Sequence, residues 1–153
     1  MSGRVCFVAW GSVPGRSAEL ASAVGGEARC FFPPRDARPP LALRYLFSAI
    51  ATVTYLLGRR PRAVIATNPP VFAALVAYGC ARALGARFVL DSHPGGFGAQ
   101  GDRVAARLQG LHRWLATRAA AVLVTEETWA RTVAMWGGTA LIVHEAPADW
   151  DCP

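Results

Sequence analysis

No lysine occurs in the sequence; all 16 basic residues are arginine, and against 10 acidic residues they leave a net charge of +6 and a pI near 9.9. Such a diffuse positive field suits nucleic acid, an anionic membrane face or a phosphate-bearing substrate. Aromatic-plus-basic strand motifs, a recognition helix with its turn, and zinc-finger spacing are all missing, which argues against nucleic acid. Cysteine is scarce too. Cys6, Cys30, Cys80 and Cys152 lie far apart with no CxxC pair and no histidine at ligand spacing, so no metal site is expected and the thiols read as reduced and mostly buried. No apolar signal core precedes the strand-like run at 4–10, so the expected location is cytoplasmic, extending to the inner face of the membrane.

Glycine fingerprints are also absent. The loop at 11–17 (GSVPGRS) has Val13 where GxGxxG needs a glycine, and as a P-loop it is one residue short, with Arg16 in place of lysine. This disfavours a nucleotide-dependent oxidoreductase or a small kinase.

What is present is apolar. The 153 residues are 53% hydrophobic and 17% charged with a mean hydropathy of +0.27, which excludes a disordered chain and fits one domain with a single core. Either both faces of a sheet are covered, or some apolar surface meets a partner. Apolar runs of strand length at 4–10, 28–32, 63–67, 87–91, 121–125 and 140–144 alternate with helix-length runs at 17–24, 41–57, 71–84, 103–117 and 128–136. This pattern predicts an α/β fold: a doubly wound, mostly parallel Rossmann-like sheet with helices on both faces. Gly25, Gly58, Gly85 and Gly137 stand where helix C-caps are expected, and Ser17 where an N-cap is.

Right-handed crossovers place every strand's carboxyl end on one edge, where such sheets bind ligands. The loops to read are therefore those that follow strands. Gly11, Ser12, Gly15 and Arg16 open the first helix, where amide groups and the helix dipole favour an anion, or where they form only a tight turn. His93, on the glycine-rich stretch with Gly95 and Gly96, suits general acid/base or hydrogen-bonding work, or it orders the loop. Asp91 reads as a loop-bonding carboxylate. Glu126 and Glu127 diverge at a helix start, which predicts capping. His112 is expected on a solvated basic face, opposite a buried stripe of Val104, Leu108, Leu111 and Leu115. The 41–57 helix is apolar nearly all round, with a narrow polar stripe of Arg44, Ser48, Thr52 and Tyr55; this points to a buried or interface-lying helix rather than a span.

In order along the chain, AVIATNPPVFAALVAYGCARALGARFVLD at 63–91 leading into His93, RWLATRAAAVLVTEETW at 113–129, and HEAP at 144–147 resemble the N-terminal, acceptor-side half of two-domain, GT-B-fold glycosyltransferases of the family-4-like group. The nearest likeness is to mannosyltransferases that extend lipid-linked chitobiose. The resemblance covers nearly the whole chain and implies a domain at 1–147 followed by the start of an interdomain linker or tail at 148–153. It implies a nucleotide sugar as donor substrate with no cofactor, and a sugar or lipid-linked acceptor. It places His93 beside the transferred sugar, the loop from Gly11 to Gly15 near donor phosphates, and Asn68 and Glu126 as further contacts. In the family a second domain binds most of the nucleotide, so the resemblance implies a truncated or dissected enzyme, or one subunit of a split transferase with a second domain or subunit as partner. A non-catalytic Rossmann-like module that holds a nucleotide or sugar phosphate stays open as the alternative.

Overall fold

A computed structural model describes residues 4–11, 15–31, 40–98 and 103–144, with the side chains of 15–17 and 105 left aside. Six strands, β1 (Val5–Ala9), β2 (Glu27–Cys30), β3 (Ala63–Asn68), β4 (Arg87–Ser92), β5 (Ala121–Val124) and β6 (Ala140–Ile142), form one sheet in the order β2-β1-β3-β4-β5-β6. Every pairing is parallel. The helices are α1 (Gly15–Ala23), α2 (Leu41–Arg59), α3 (Val71–Leu84), α4 (Arg103–Arg107), α5 (Gln109–Ala116) and α6 (Glu127–Met135). The connection from β1 to β2 runs toward one edge and every later one toward the other. Right-handed crossovers therefore put α1 on one face and α2 to α6 on the opposite face, the expected doubly wound α/β arrangement.

Alternation along the strands fills the more heavily covered face. Cys6, Val8, Val64, Ala66, Leu90, Val122 and Val124 are fully buried beneath Leu56 of α2, Leu115 of α5 and Val133 of α6. Each such Leu contributes roughly 1.5–3 kcal/mol of burial. Ala73, Ala74, Ala77 and Ala81 of α3 are all at 0% exposure; their small side chains let this helix pack closely on β3 and β4. Gly85 ends α3 at φ 66°, a left-handed position that glycine takes without a Cβ penalty.

Three local expectations are corrected. Helix α2 runs through Gly58, and Arg60 takes the left-handed C-cap instead, at φ 46°. Ser17 lies inside the first turn of α1, which starts at Gly15, and so is not the N-cap. The predicted 103–117 helix breaks at Leu108 (φ −94°, ψ 5°). The break shifts the helical phase, leaving Val104 at 64% exposure while Leu115 stays buried.

Helix α2 turns the usual order of an amphipathic helix inside out. Its polar stripe faces the protein: Trp10 Nε1 donates to Thr52 Oγ1 at 2.9 Å, Ser48 Oγ donates to the Phe31 carbonyl at 3.0 Å, and the Tyr55 hydroxyl donates to Cys6 Sγ at 3.5 Å. Ser48 and Thr52 are 2% and 0% exposed, while Leu46, Phe47 and Ile50 are each more than half exposed. Polar groups can be buried here because each has a partner.

Candidate functional site

The strand order reverses between β1 and β3, which makes their carboxyl ends the topological switch point where ligands settle in such sheets. A cavity of about 280 Å³ lies on this edge, lined among others by Asn68, Gly96, His112, Tyr45, Phe72 and Leu108. Tyr45 packs between Trp10 and Phe72, with ring centroids 5.6 and 5.8 Å away. The lining is mainly apolar, with a few polar groups from the strand ends, the composition usual for a small-molecule site.

The adjacent ends of β3 and β4 carry the chemistry. Asn68 closes β3 at 1% exposure and accepts the His93 amide through its carbonyl at 2.9 Å. Its side-chain Nδ2 is buried without a hydrogen-bond partner among the described residues. After β4 the chain makes a 3-10 turn, Pro94–Phe97. Gly96 passes so close to Asn68 that a Cβ there would sit 2.6 Å from Nδ2, so any larger residue would force the Asn68 amide or the turn to shift. Asp91 is buried, with a side-chain exposure of 1%, and its Oδ2 lies 3.5 Å from Nε2 of His93, whose side chain is 30% exposed. A buried carboxylate at this distance from a partly exposed imidazole favours the protonated form of the histidine electrostatically.

Behind this turn stands a histidine that the sequence reading assigned to solvent. His112 is 1% exposed. Its Nδ1 lies 2.9 Å from the Gly96 carbonyl and its Nε2 2.9 Å from Ser92 Oγ. A carbonyl only accepts, so Nδ1 carries the proton and Nε2 accepts from the serine hydroxyl. Burial pushes its pKa down to about 4, against the opposing effect of the Gly96 bond. Phe97 packs on the same ring at 4.7 Å and stacks on Trp129 at 4.7 Å. The signal for this histidine was present: four residues after Leu108 and three before Leu115, it sits beside the apolar stripe.

The structure brings Asn68, His93, Gly95 and Gly96 together; a Cβ on Gly95 would lie 3.6 Å from Pro69. Gly11 follows β1 on the same edge and is half-buried. Gly15 and Arg16 begin α1, and Ser12 lies outside the described residues. Glu126 stands apart, exposed at the N-cap of α6 without a side-chain cap bond. The expected capping by its side chain is therefore not made, and its neighbour Glu127 instead pairs with Arg131 at 3.2 Å on the surface, a contact worth little. No cluster of His, Cys, Asp and Glu able to hold a metal occurs among the described residues, and the described cysteines Cys6, Cys30 and Cys80 carry unbridged thiols.

No curated protein matches the sequence. Among solved structures the fold is similar to that of Anabaena Alr3699/HepE in complex with UDP, at 13% identity and a TM-score of 0.57 over 94% of this chain. The chain spans 44% of that protein's length. The family model of the glycosyl transferase 4-like domain matches residues 3–146, nearly the whole α/β unit described above, and the chain belongs to that family.

Proposed function

We propose that this chain is the acceptor-side domain or subunit of a GT-B-fold hexosyltransferase, contributing acceptor binding and part of the active site for transfer from a nucleotide sugar. The observation that carries the proposal is the His93–Asp91 pair, 3.5 Å apart at the carboxyl edge, on the strand end next to the Asn68 that lines the apolar cavity. The UDP held by the similar Anabaena protein supports a nucleotide-sugar donor. The family domain occupies 1–147 in this proposal, with 148–153 leading to the partner half that brings most of the nucleotide site.

Transfer requires stabilising a developing oxocarbenium ion and the leaving diphosphate. Asp91 Oδ2 stands 3.5 Å from Nε2 of His93 and would stabilise a protonated imidazole, which leaves Nδ1 to hold or move a proton at the sugar. Gly11, Ser12, Gly15 and Arg16 are assigned to the diphosphate from their place in the sequence around the start of α1, because amides and the dipole at a helix start favour an anion. Asn68, Gly95 and Gly96 shape the acceptor side, and Glu126 is a more distant contact. The proposal needs no cofactor beyond the nucleotide sugar. The acceptor we favour is a lipid-linked sugar, as for chitobiose-extending mannosyltransferases, taken up on the cytoplasmic side with the protein peripheral to the membrane.

The test is transfer from a panel of radiolabelled nucleotide sugars to soluble and lipid-linked acceptors, with the chain alone and with extract of its source organism. Turnover that needs the extract and drops about 10²–10⁴-fold in His93→Ala is expected. Ligand binding without turnover under any condition would replace the transferase with a non-catalytic binding module.

A further inference from the structure

The outward face of α2 is an apolar row interrupted only by Thr54: Leu43, Leu46, Phe47, Ile50, Val53 and Leu57, each 37–58% exposed. The one charge between residues 41 and 58, Arg44, falls roughly 130° around the helix from the centre of that row. In water a surface helix turns its apolar stripe inward; here the inward side is the one that carries Ser48, Thr52 and Tyr55. The row runs for about 21 Å at 1.5 Å per residue. By length and hydropathy the helix could cross a membrane, but its polar side is bonded to Trp10, Phe31 and Cys6 and packs beside α3. Lipid can reach one side only, the geometry of an in-plane helix.

Charge identifies the occupant. No acidic residue occurs between Asp36 and Asp91 or between Asp102 and Glu126, the segments that build α2, α3, α4 and α5 on one face of the sheet. Arg59, Arg60 and Arg62 cluster at one end of α2, and Arg103 and Arg107 flank Val104 near the other, where Val104 and Leu41 line the same cavity. The nearby carboxylates Glu27 and Glu127 already pair with Arg59, Arg29 and Arg131 of the same chain, so a second copy of this chain would oppose two predominantly cationic faces. An anionic bilayer supplies both apolar depth and opposite charge.

We propose that the outer face of α2 seats this protein on an anionic phospholipid bilayer. Leu41, the first residue of α2, and Val104, 58% and 64% exposed, line the cavity at the N-terminal end of that helix. Docking thus brings the cavity to the lipid interface, where a lipid-linked acceptor presents its sugar; this last step rests on the proposed transferase function.

The experiment is co-sedimentation of the full chain with phosphatidylcholine vesicles, with and without phosphatidylglycerol, at low and high salt. Binding that requires phosphatidylglycerol and weakens in high salt is expected. The variant Leu46→Glu/Ile50→Glu should lose at least about tenfold in partitioning, with an unchanged circular dichroism spectrum. Arg60→Glu/Arg62→Glu should weaken the anionic vesicles' advantage. Absence of binding to both vesicle types overturns the proposal. So does concentration-dependent self-association, read by sedimentation velocity, that the Leu46→Glu/Ile50→Glu variant abolishes while vesicle binding is absent. Transfer to a soluble acceptor is measured in parallel. Retained transfer without vesicle binding removes the docking surface alone, and vesicle binding without any transfer removes the transferase alone.

Discussion

His112 Nδ1 and the Gly96 carbonyl oxygen lie 2.9 Å apart, tying α5 to the turn that follows His93. With Nε2 receiving the Ser92 hydroxyl at 2.9 Å, the imidazole bridges two points of the candidate site, and burial favours its neutral form.

That arrangement predicts an acid-sensitive fold. The folded pKa, pushed down to about 4 by burial, lies below the ordinary 6.5, so the unfolded chain takes up the proton first. The contribution is fully present above about pH 6.5 and is lost as pH falls toward 4, by up to about 3 kcal/mol. Urea midpoints for wild type and His112→Asn, compared between pH 7 and pH 4.5, should converge as pH falls. A constant gap between the two proteins across that range would show that His112 does not titrate between the folded and unfolded states.

Much of this architecture was legible in the residues. The alternation of β-branched and Ala/Leu-rich runs located all six strands to within a few residues, and 71–84 matched α3 at both ends. The histidine of the loop after β4 was legible because a glycine-rich stretch after a strand has few structural reasons to carry one. Three things were not. The phase break at Leu108 depends on one residue's backbone angles, and without it the stripe is drawn through Val104. The burial of His112 depends on partners in β4 and the following turn, distant in sequence. The direction in which α2 faces is undetermined by a hydrophobic pattern that is apolar nearly all round; only the partners of Ser48, Thr52 and Tyr55 decide it.

Gly96→Ala tests the closeness of the two strand-end loops. A Cβ there would lie 2.6 Å from Asn68 Nδ2 and 3.3 Å from the Asn68 carbonyl oxygen, so the turn or the Asn68 amide must shift. A loss of roughly 1–3 kcal/mol is expected from such overpacking. In an Asn68→Ala background the Nδ2 contact is gone, and the cost of Gly96→Ala should shrink by about 1 kcal/mol, read as a coupling energy in a denaturation double-mutant cycle. Additive losses would show that the amide is not what Gly96 makes room for.

The inverted helix makes the sharpest stability prediction, because it reverses what a sequence pattern leads one to expect of polar and apolar positions. Thr52 is fully buried and its Oγ1 is the acceptor for Trp10 Nε1, so Thr52→Val keeps the shape while leaving an indole N–H unsatisfied. That change should cost about 1–3 kcal/mol, and Thr52→Ser, which keeps the hydroxyl, should recover part of it. Ile50, 55% exposed on the opposite side, has little packing to lose, so Ile50→Ser should change stability in detergent-free buffer by only about 0.5 kcal/mol or less. Guanidinium titrations of the three variants decide between orientations. If Ile50→Ser proved the costlier change, the helix would have to be turned about its axis, with its apolar row against the sheet and Thr52 in solvent.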